Sequence, residues 1–285
     1  PLWVKRSGIM LCYPYEEKRF QRWGEVGIVQ PKLNGERCRA VFDSSGKVSL
    51  ISSELNEITG VPHIKEELEK TYGTFCRSKE LDGEVYRHGM PLSEIHSIVS
   101  RGSSNLREDY ELIQYHIFDT VDSRPQILRT RDVIELPETR TIKTVRSEIV
   151  ESGDKVFELL ESFHKDGFEG VVIRHLEGLY TRKRSTYLMK WKPRETDVYI
   201  IVDYTEERDK FGKPKGVLGA LACMGNDGET FSVGSGFTQE ERAFLWNNRG
   251  ELVGRQIIIA YQNLTSKRGV PRNGVFKAFV EEEKE

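Results

Sequence analysis

The feature that most limits how this chain can fold is a change of texture near Pro193-Arg194. Upstream, short apolar runs alternate with segments of helical spacing; downstream, strand-like runs crowd together with one helix-like stretch among them. Val26 to Val29 and Arg37 to Phe42 read as strands joined by a turn over Pro31 to Gly35, and Val48 to Ile51 continues the strand pattern. Ile64, Leu68 and Tyr72 recur at helical spacing. Leu81 to Tyr86 reads as a strand, Leu92 to Val99 as a helix and Leu112 to Val121 as a buried strand. Val156, Leu159, Leu160 and Phe163 mark an amphipathic helix that Gly167 ends. Two further strands, Phe168 to Arg174 and Tyr187 to Trp191, close this part.

Beyond Pro193 the expected strands are Val198 to Tyr204, Val217 to Met224, Glu229 to Val233, Gln256 to Tyr261 and Val275 to Val280. Asn226-Asp227-Gly228 is a hairpin signal, and Gln239 to Trp246 is the helix. That order predicts a five-stranded OB-type barrel with one inserted helix. The expectation is an α+β domain over residues 1–193, followed by an OB-fold barrel over 194–285.

Hydrophobic residues make up 37% of the 285, enough for real cores. No run approaches the roughly 18 apolar residues of a membrane span, and Pro1 to Arg6 has no signal-like apolar stretch. Cys12, Cys38, Cys76 and Cys223 are scattered without C-x-x-C spacing, which argues against a zinc site or a disulfide framework and for a reducing, cytoplasmic setting. With 43 basic against 45 acidic residues, bulk charge excludes histone-like binding; contact with phosphates would rest on local patches.

The chemistry concentrates in Gln30-Pro31-Lys32-Leu33-Asn34-Gly35-Glu36-Arg37. A lysine on a tight turn between apolar strands becomes a nucleophile if desolvation or neighbouring cations remove its proton. Glu80-Leu81-Asp82-Gly83-Glu84 puts carboxylates at a strand edge, Tyr115 to Asp119 ends a buried strand with Phe118, and Glu169 opens the strand Gly170 to Arg174. Met189-Lys190-Trp191-Lys192 alternates two lysines onto one face. Taken singly, Glu84 and Glu169 read as surface strand residues, Phe118 as core, and Lys190 and Lys192 as a solvated face. In this order they read as parts for nucleotidyl transfer.

The ordered set resembles the ATP-dependent DNA ligases of the covalent nucleotidyltransferase superfamily, over about Gly8 to Phe279. Lys32-Leu33-Asn34-Gly35 with Arg37 is similar to the nucleotidyl-lysine motif K-x-D-G-x-R. The resemblance implies an ATP-grasp-like adenylation domain in which Lys32 is adenylated and Arg37 contacts the nucleotide or the nick phosphate. It implies Glu84 as a ribose- or metal-contacting acid, Phe118 as the ring stacked on adenine and Glu169 as a metal ligand. Lys190 and Lys192 would bind phosphate, with Gln30 also on the nucleotide. ATP and Mg²⁺ (or Mn²⁺) follow as cofactors, and nicked double-stranded DNA as the partner of a monomeric enzyme.

Gly216 to Leu221 and Val233 to Thr238 resemble the barrel of DNA ligases more than that of RNA ligases or capping enzymes. Arg182, Lys183 and Arg184 are candidate DNA contacts, as is Arg272, whose segment Arg272 to Phe276 resembles the last ligase motif; Lys213, Lys215, Lys267 and Arg268 could track a backbone. Three positions depart from the family pattern. Asn34 stands where the family has Asp, Ser53 where it has a nick-binding Arg, and Val280 where it has a second basic residue. The readings left beside DNA nick sealing are an RNA ligase or capping-type transferase, and a nick-binding protein with eroded catalysis. The short lead before Lys32 fits a minimal ligase of phage, viral or bacterial type.

Overall fold

Strand β1 (Leu11–Pro14) and helix α1 (Glu17–Arg22) lead into β2 (Gly27–Lys32), β3 (Glu36–Phe42), β4 (Val48–Ser52), α2 (Pro62–Tyr72), β5 (Glu80–Tyr86) and α3 (Leu92–Val99). Then come β6 (Gln114–Thr120), α4 (Gln126–Ile134), β7 (Ile142–Thr144), β8 (Glu148–Val150), α5 (Gly153–Lys165), β9 (Gly170–Arg174) and β10 (Arg184–Trp191). The rest is β11 (Glu195–Arg208), β12 (Pro214–Met224), β13 (Thr230–Val233), α6 (Gln239–Asn247), β14 (Gln256–Tyr261) and β15 (Val275–Phe279). This computed structural model describes residues 7–261, 264–265, 268–271 and 274–280. The chain divides into two compact units, Pro1–Lys192 and Pro193–Glu285.

The first unit holds two five-stranded sheets, ordered β1-β10-β9-β2-β8 and β4-β3-β5-β6-β7. Side chains alternate across a strand, so each sheet has one apolar and one polar face. In the first sheet Val29, Val171, Ile173 and Met189 are covered by Val156, Leu159, Leu160 and Phe163 of α5. Burial of each such side chain stabilises by ~1.5–3 kcal/mol. Ser152 caps α5, its side chain accepting from Lys155 N at 3.1 Å. In the second sheet Cys38, Ala40, Leu81, Val85 and Ile117 share a core with Ile64 and Leu68 of α2 and Ile95 and Ile98 of α3. The opposite faces carry Gln30, Lys32, Arg174 and Lys190 in the first sheet, beside apolar Ile28 and Leu188, and Arg37, Arg39, Asp82 and Glu84 in the second.

Strand β2 runs on to Lys32, three residues beyond the expected end at Val29, and takes Pro31 into the sheet. Lys32 O accepts from Glu169 N at 3.0 Å, so Lys32 bonds toward β9 and Pro31 faces the other way. On that side β8 pairs only as far as Val29, and the N–H that proline lacks has no ladder partner to miss. Helix α4 was not expected from hydropathy because its buried face includes Gln126, Arg129 and Thr130. Nor were β1, α1, β7 and β8, which are too short for a periodic signal.

The second unit is an OB-like domain, its sheet ordered β13-β12-β11-β14-β15. Strand β11 is 14 residues long because it serves two pairings, with β14 from Glu195 to Ile200 and with β12 from Ile201 onward. Ser235 bridges Val275 in parallel, which brings the ends of the sheet together around Ile201, Leu218, Leu221, Ile257 and Ile259. Helix α6 is inserted after β13, as expected, and starts with a capping box between Thr238 and Glu241.

Candidate active site

Lys32 sits at the end of β2 on the polar face of the first sheet, in the same row as Gly170 and, one strand further, Lys192. Gly170 supplies no side chain, and its φ is +150°. A Cβ there would lie 2.2 Å from Trp191 O and 3.0 Å from Lys192 Cα, so only glycine lets the strands close at this point. Across that gap both ammonium groups reach one carboxylate: Lys32 Nζ donates to one oxygen of Glu169 and Lys192 Nζ to the other. Lys32 Nζ also donates to Leu33 O at 3.2 Å.

The second sheet supplies the other acid. Glu84 accepts from Gly35 N at 3.0 Å, which ties the turn after Lys32 to β5. Gly35 is pressed so close that a Cβ would meet Val85 O at 2.4 Å. Burial pushes the Glu84 carboxyl up, opposed by Lys32 and Arg37 and reinforced by Glu169. Burial also acts to depress Lys32, but Glu84 and Glu169 outweigh it and hold the ammonium above its ordinary value. Desolvation, one of the two routes by which the amine could be freed, is thus outweighed here, and its surroundings keep it charged. Lys190, on the same face, is pushed down by burial and by the nearby Lys32 and Lys192. Glu169 is held below the usual carboxylate range: its burial is outweighed by Lys32 and Lys192.

Arg37 is turned toward the protein. Its guanidinium forms a two-point pair with Asp82 at 2.7 and 2.6 Å and reaches Met10 O at 3.3 Å, while Tyr180 donates to Asp82 at 2.5 Å. Phe118 is set by a β-bulge: Asp82 pairs with Asp119 and Gly83 with Ile117, leaving Phe118 as the extra residue of β6. A bulge re-aims its side chain. Here the ring has Arg37 at 4.7 Å and Arg174 at 5.4 Å from its centre.

Gln30 departs from the sequence reading. It is buried, 1% exposed, and its whole amide is spent: Nε2 donates to Phe118 O at 3.1 Å and Ser147 Oγ at 2.9 Å, and Oε1 accepts from Arg174 Nε at 2.7 Å. It anchors the bulge from behind, through Phe118 O. Behind it lies a network the sequence reading missed, in which Asp119 accepts from Arg174 at 2.9 Å and from Arg129 at 2.9 Å, with Gln126 bonded to both arginines. Nothing in hydropathy marks such a set, because charged residues are buried only when paired.

Of the expected DNA contacts, Arg182 pairs with Glu80 at 2.6 Å and donates to Gly8 O at 2.7 Å, and Arg184 donates to Cys12 O. Lys183 is exposed, as is Asn34 in the turn. Lys215 is paired with Glu207 and Arg268 with Asp227. Arg272 and Lys267 lie outside the described residues.

Residues 9–192 match the family model of the ATP dependent DNA ligase domain. This chain belongs to the ATP-dependent DNA ligase family. The match continues in residues 211–279, which fit the DNA ligase OB-like domain. The DNA ligase of African swine fever virus (isolate Tick/South Africa/Pretoriuskop Pr4/1996) is 28% identical to this ligase-family chain, covering 86% of it and 61% of the viral protein. The chain thus spans about three fifths of that relative. The DNA ligase of Haemophilus influenzae (strain ATCC 51907 / DSM 11121 / KW20 / Rd) is 26% identical, with 93% of this chain and 90% of its own length covered. The solved Pmar-Lig_PreS3 structure is 25% identical with a TM-score of 0.72, over 95% of this chain and 67% of its own.

Proposed function

We propose that this chain seals nicks in duplex DNA through a lysyl-AMP on Lys32. The observation that carries the reading is the convergence of Lys32, Glu84, Glu169, Lys190 and Lys192 where the polar faces of two sheets meet. ATP is the substrate of the first step. The Lys32 ammonium gives up its proton, its amine attacks the α-phosphorus, a P–N bond forms and pyrophosphate leaves. The proton has Glu169 within hydrogen-bond reach as acceptor. Lys190 and Lys192 offset charge on the transferring phosphates, the kind of electrostatic stabilisation such transfers rely on. The AMP then passes to a 5′-phosphate, and a 3′-hydroxyl displaces it to make the phosphodiester.

A divalent cation fits this site in one way. Among the described residues no group of three or more His, Cys, Asp or Glu is arranged to hold a metal. Glu84 and Glu169 are two carboxylates close enough for Glu169 to disfavour the charge of Glu84. Two carboxylates completed by substrate phosphate oxygens suit Mg²⁺. Bound there, it would neutralise phosphate charge and weaken the hold of both acids on Lys32. Phe118, fixed by its bulge and largely buried at 8% exposed, is the ring the adenine would meet.

In this reading residues 1–193 carry the nucleotidyl transfer and 194–285 add contacts to DNA. Labelling with α-labelled ATP against GTP, followed by sealing of nicked DNA against nicked RNA, tests it. Label from ATP on Lys32 and joining of DNA are expected. Label from GTP, or joining of RNA alone, would replace it with a capping-type or RNA-ligase activity.

A further inference from the structure

The two acids of the site belong to different sheets, Glu84 on β5 and Glu169 just before β9, so the distance between them depends on what joins the sheets beside them. Phe168, next to Glu169, packs against the cores of both sheets. Its ring lies 5.9 Å from that of Phe163 in α5 and 4.7 Å from that of His88. His88 follows β5 in the chain, and its Nδ1 is hydrogen-bonded to the Tyr86 hydroxyl at 2.8 Å. Tyr86 stands two residues from Glu84 in the same strand, so their side chains share a face.

An exposed histidine after a strand is ordinary. This one is held on several sides, with its ring also running alongside Gly167, where a Cβ would sit 3.6 Å from Cε1 and Nε2. Tyr86 is 4% exposed and has the ring of His116 edge-on at 5.2 Å, which leaves its hydroxyl little room to swing. The turn after Lys32 leans on the same strand: Gly35 N donates to Glu84 at 3.0 Å, and a Cβ on Gly35 would lie 3.1 Å from Tyr86 Cβ. The nucleotidyl transfer itself gives Tyr86, His88 and Phe168 no task.

We propose that Tyr86 and His88 are positioning residues, a strut that runs from Glu84 through their hydrogen bond and Phe168 to Glu169 and fixes the span a divalent cation must fit; this rests on the reading of those two acids as its protein ligands. Mg²⁺ is small and demands near-ideal octahedral geometry, whereas Ca²⁺ accepts longer and more varied distances. A span held at one length therefore favours Mg²⁺, and loosening it costs Mg²⁺ most. Groups that orient the ligands of a metal typically change its affinity by about 10–100-fold.

Isothermal titration calorimetry gives the Kd of α,β-methylene-ATP, which cannot transfer AMP, in EDTA, in Mg²⁺ and in Ca²⁺. The proteins are the unaltered chain, Tyr86→Phe, His88→Ala and the double variant, with thermal melting as a check on each fold. Mg²⁺ is expected to tighten binding by the unaltered chain. In each variant the Kd in EDTA is expected to stay within about twofold, while the tightening by Mg²⁺ shrinks about tenfold and that by Ca²⁺ no more than about threefold. The double variant is expected to lose no more than either single one, since one strut is broken once. Mg²⁺ tightening that survives in both single variants, or an equal loss in EDTA, Mg²⁺ and Ca²⁺, overturns the strut. No tightening in the unaltered chain removes the cation reading and the strut with it. Lysyl-AMP formation from ATP is scored on the same preparations: its absence from the unaltered chain, with the metal pattern as expected, defeats the ligase reading and leaves the strut standing.

Discussion

Glu169 holds Lys32 with one carboxylate oxygen and Lys192 with the other, across the space that Gly170 leaves open. The nucleophile of the proposed reaction is thus stored as an ammonium, paired with the acid nearest to it. Charge brought by nucleotide and cation has to release it. In the proposed reaction this couples activation of the amine to substrate binding.

Glu169→Gln removes the charge but keeps the shape. Lys32 is held above its ordinary value by Glu84 and Glu169, so loss of one carboxylate lowers it. Titration of isotope-labelled methyl-lysine by NMR is expected to show Lys32 losing its proton at higher pH than ordinary lysines, and at lower pH in Glu169→Gln. Adenylation by that variant is nevertheless expected to fall by about 100-fold, because proton acceptor and phosphate-site geometry go together.

Gly170→Ala tests the close approach of β9 and β10. The new Cβ would meet Trp191 O at 2.2 Å, and the φ of +150° is one that side chains resist. A cost of more than about 1 kcal/mol in urea unfolding is expected, along with slower adenylation as Lys32 and Lys192 are pushed apart.

Arg174→Ala leaves Asp119 and Gln30 short of a partner in a buried set. Breaking one side of such a pair costs about 3–5 kcal/mol. Equilibrium unfolding measures it, and Arg174→Ala with Asp119→Ala together should cost less than the sum of the two. A rise in the KM for ATP is also expected, since Gln30 holds the backbone that carries Phe118.

The convergence of Lys32, Glu84, Glu169, Lys190 and Lys192 was legible in the sequence because residue type, order and strand alternation all point one way. The bulge at Phe118 was not, since one extra residue in a ladder leaves no compositional trace. The partners of Gln30 were hidden for a related reason: alternation puts it on the face of Lys32, and nothing in the pattern marks the buried Arg174 that its amide meets. The polar buried side of α4 hid the helix that completes the network.

Asn34→Asp adds a carboxylate to an exposed turn beside the site. Unfolding free energy should stay within about 0.5 kcal/mol of the starting value. Nick sealing is expected to rise, because a third acid near Glu84 and Glu169 strengthens cation and hydroxyl binding. A titration of sealing rate against Mg²⁺ concentration, shifted to lower concentration in the variant, would show it.

The central claim is that one amine carries the nucleotide. Intact-mass spectrometry of the chain after incubation with ATP and Mg²⁺, followed by peptide mapping, addresses it directly. The account predicts a single added adenylyl group on Lys32, absent from Lys32→Ala. No adduct, or an adduct on any other residue, would contradict it.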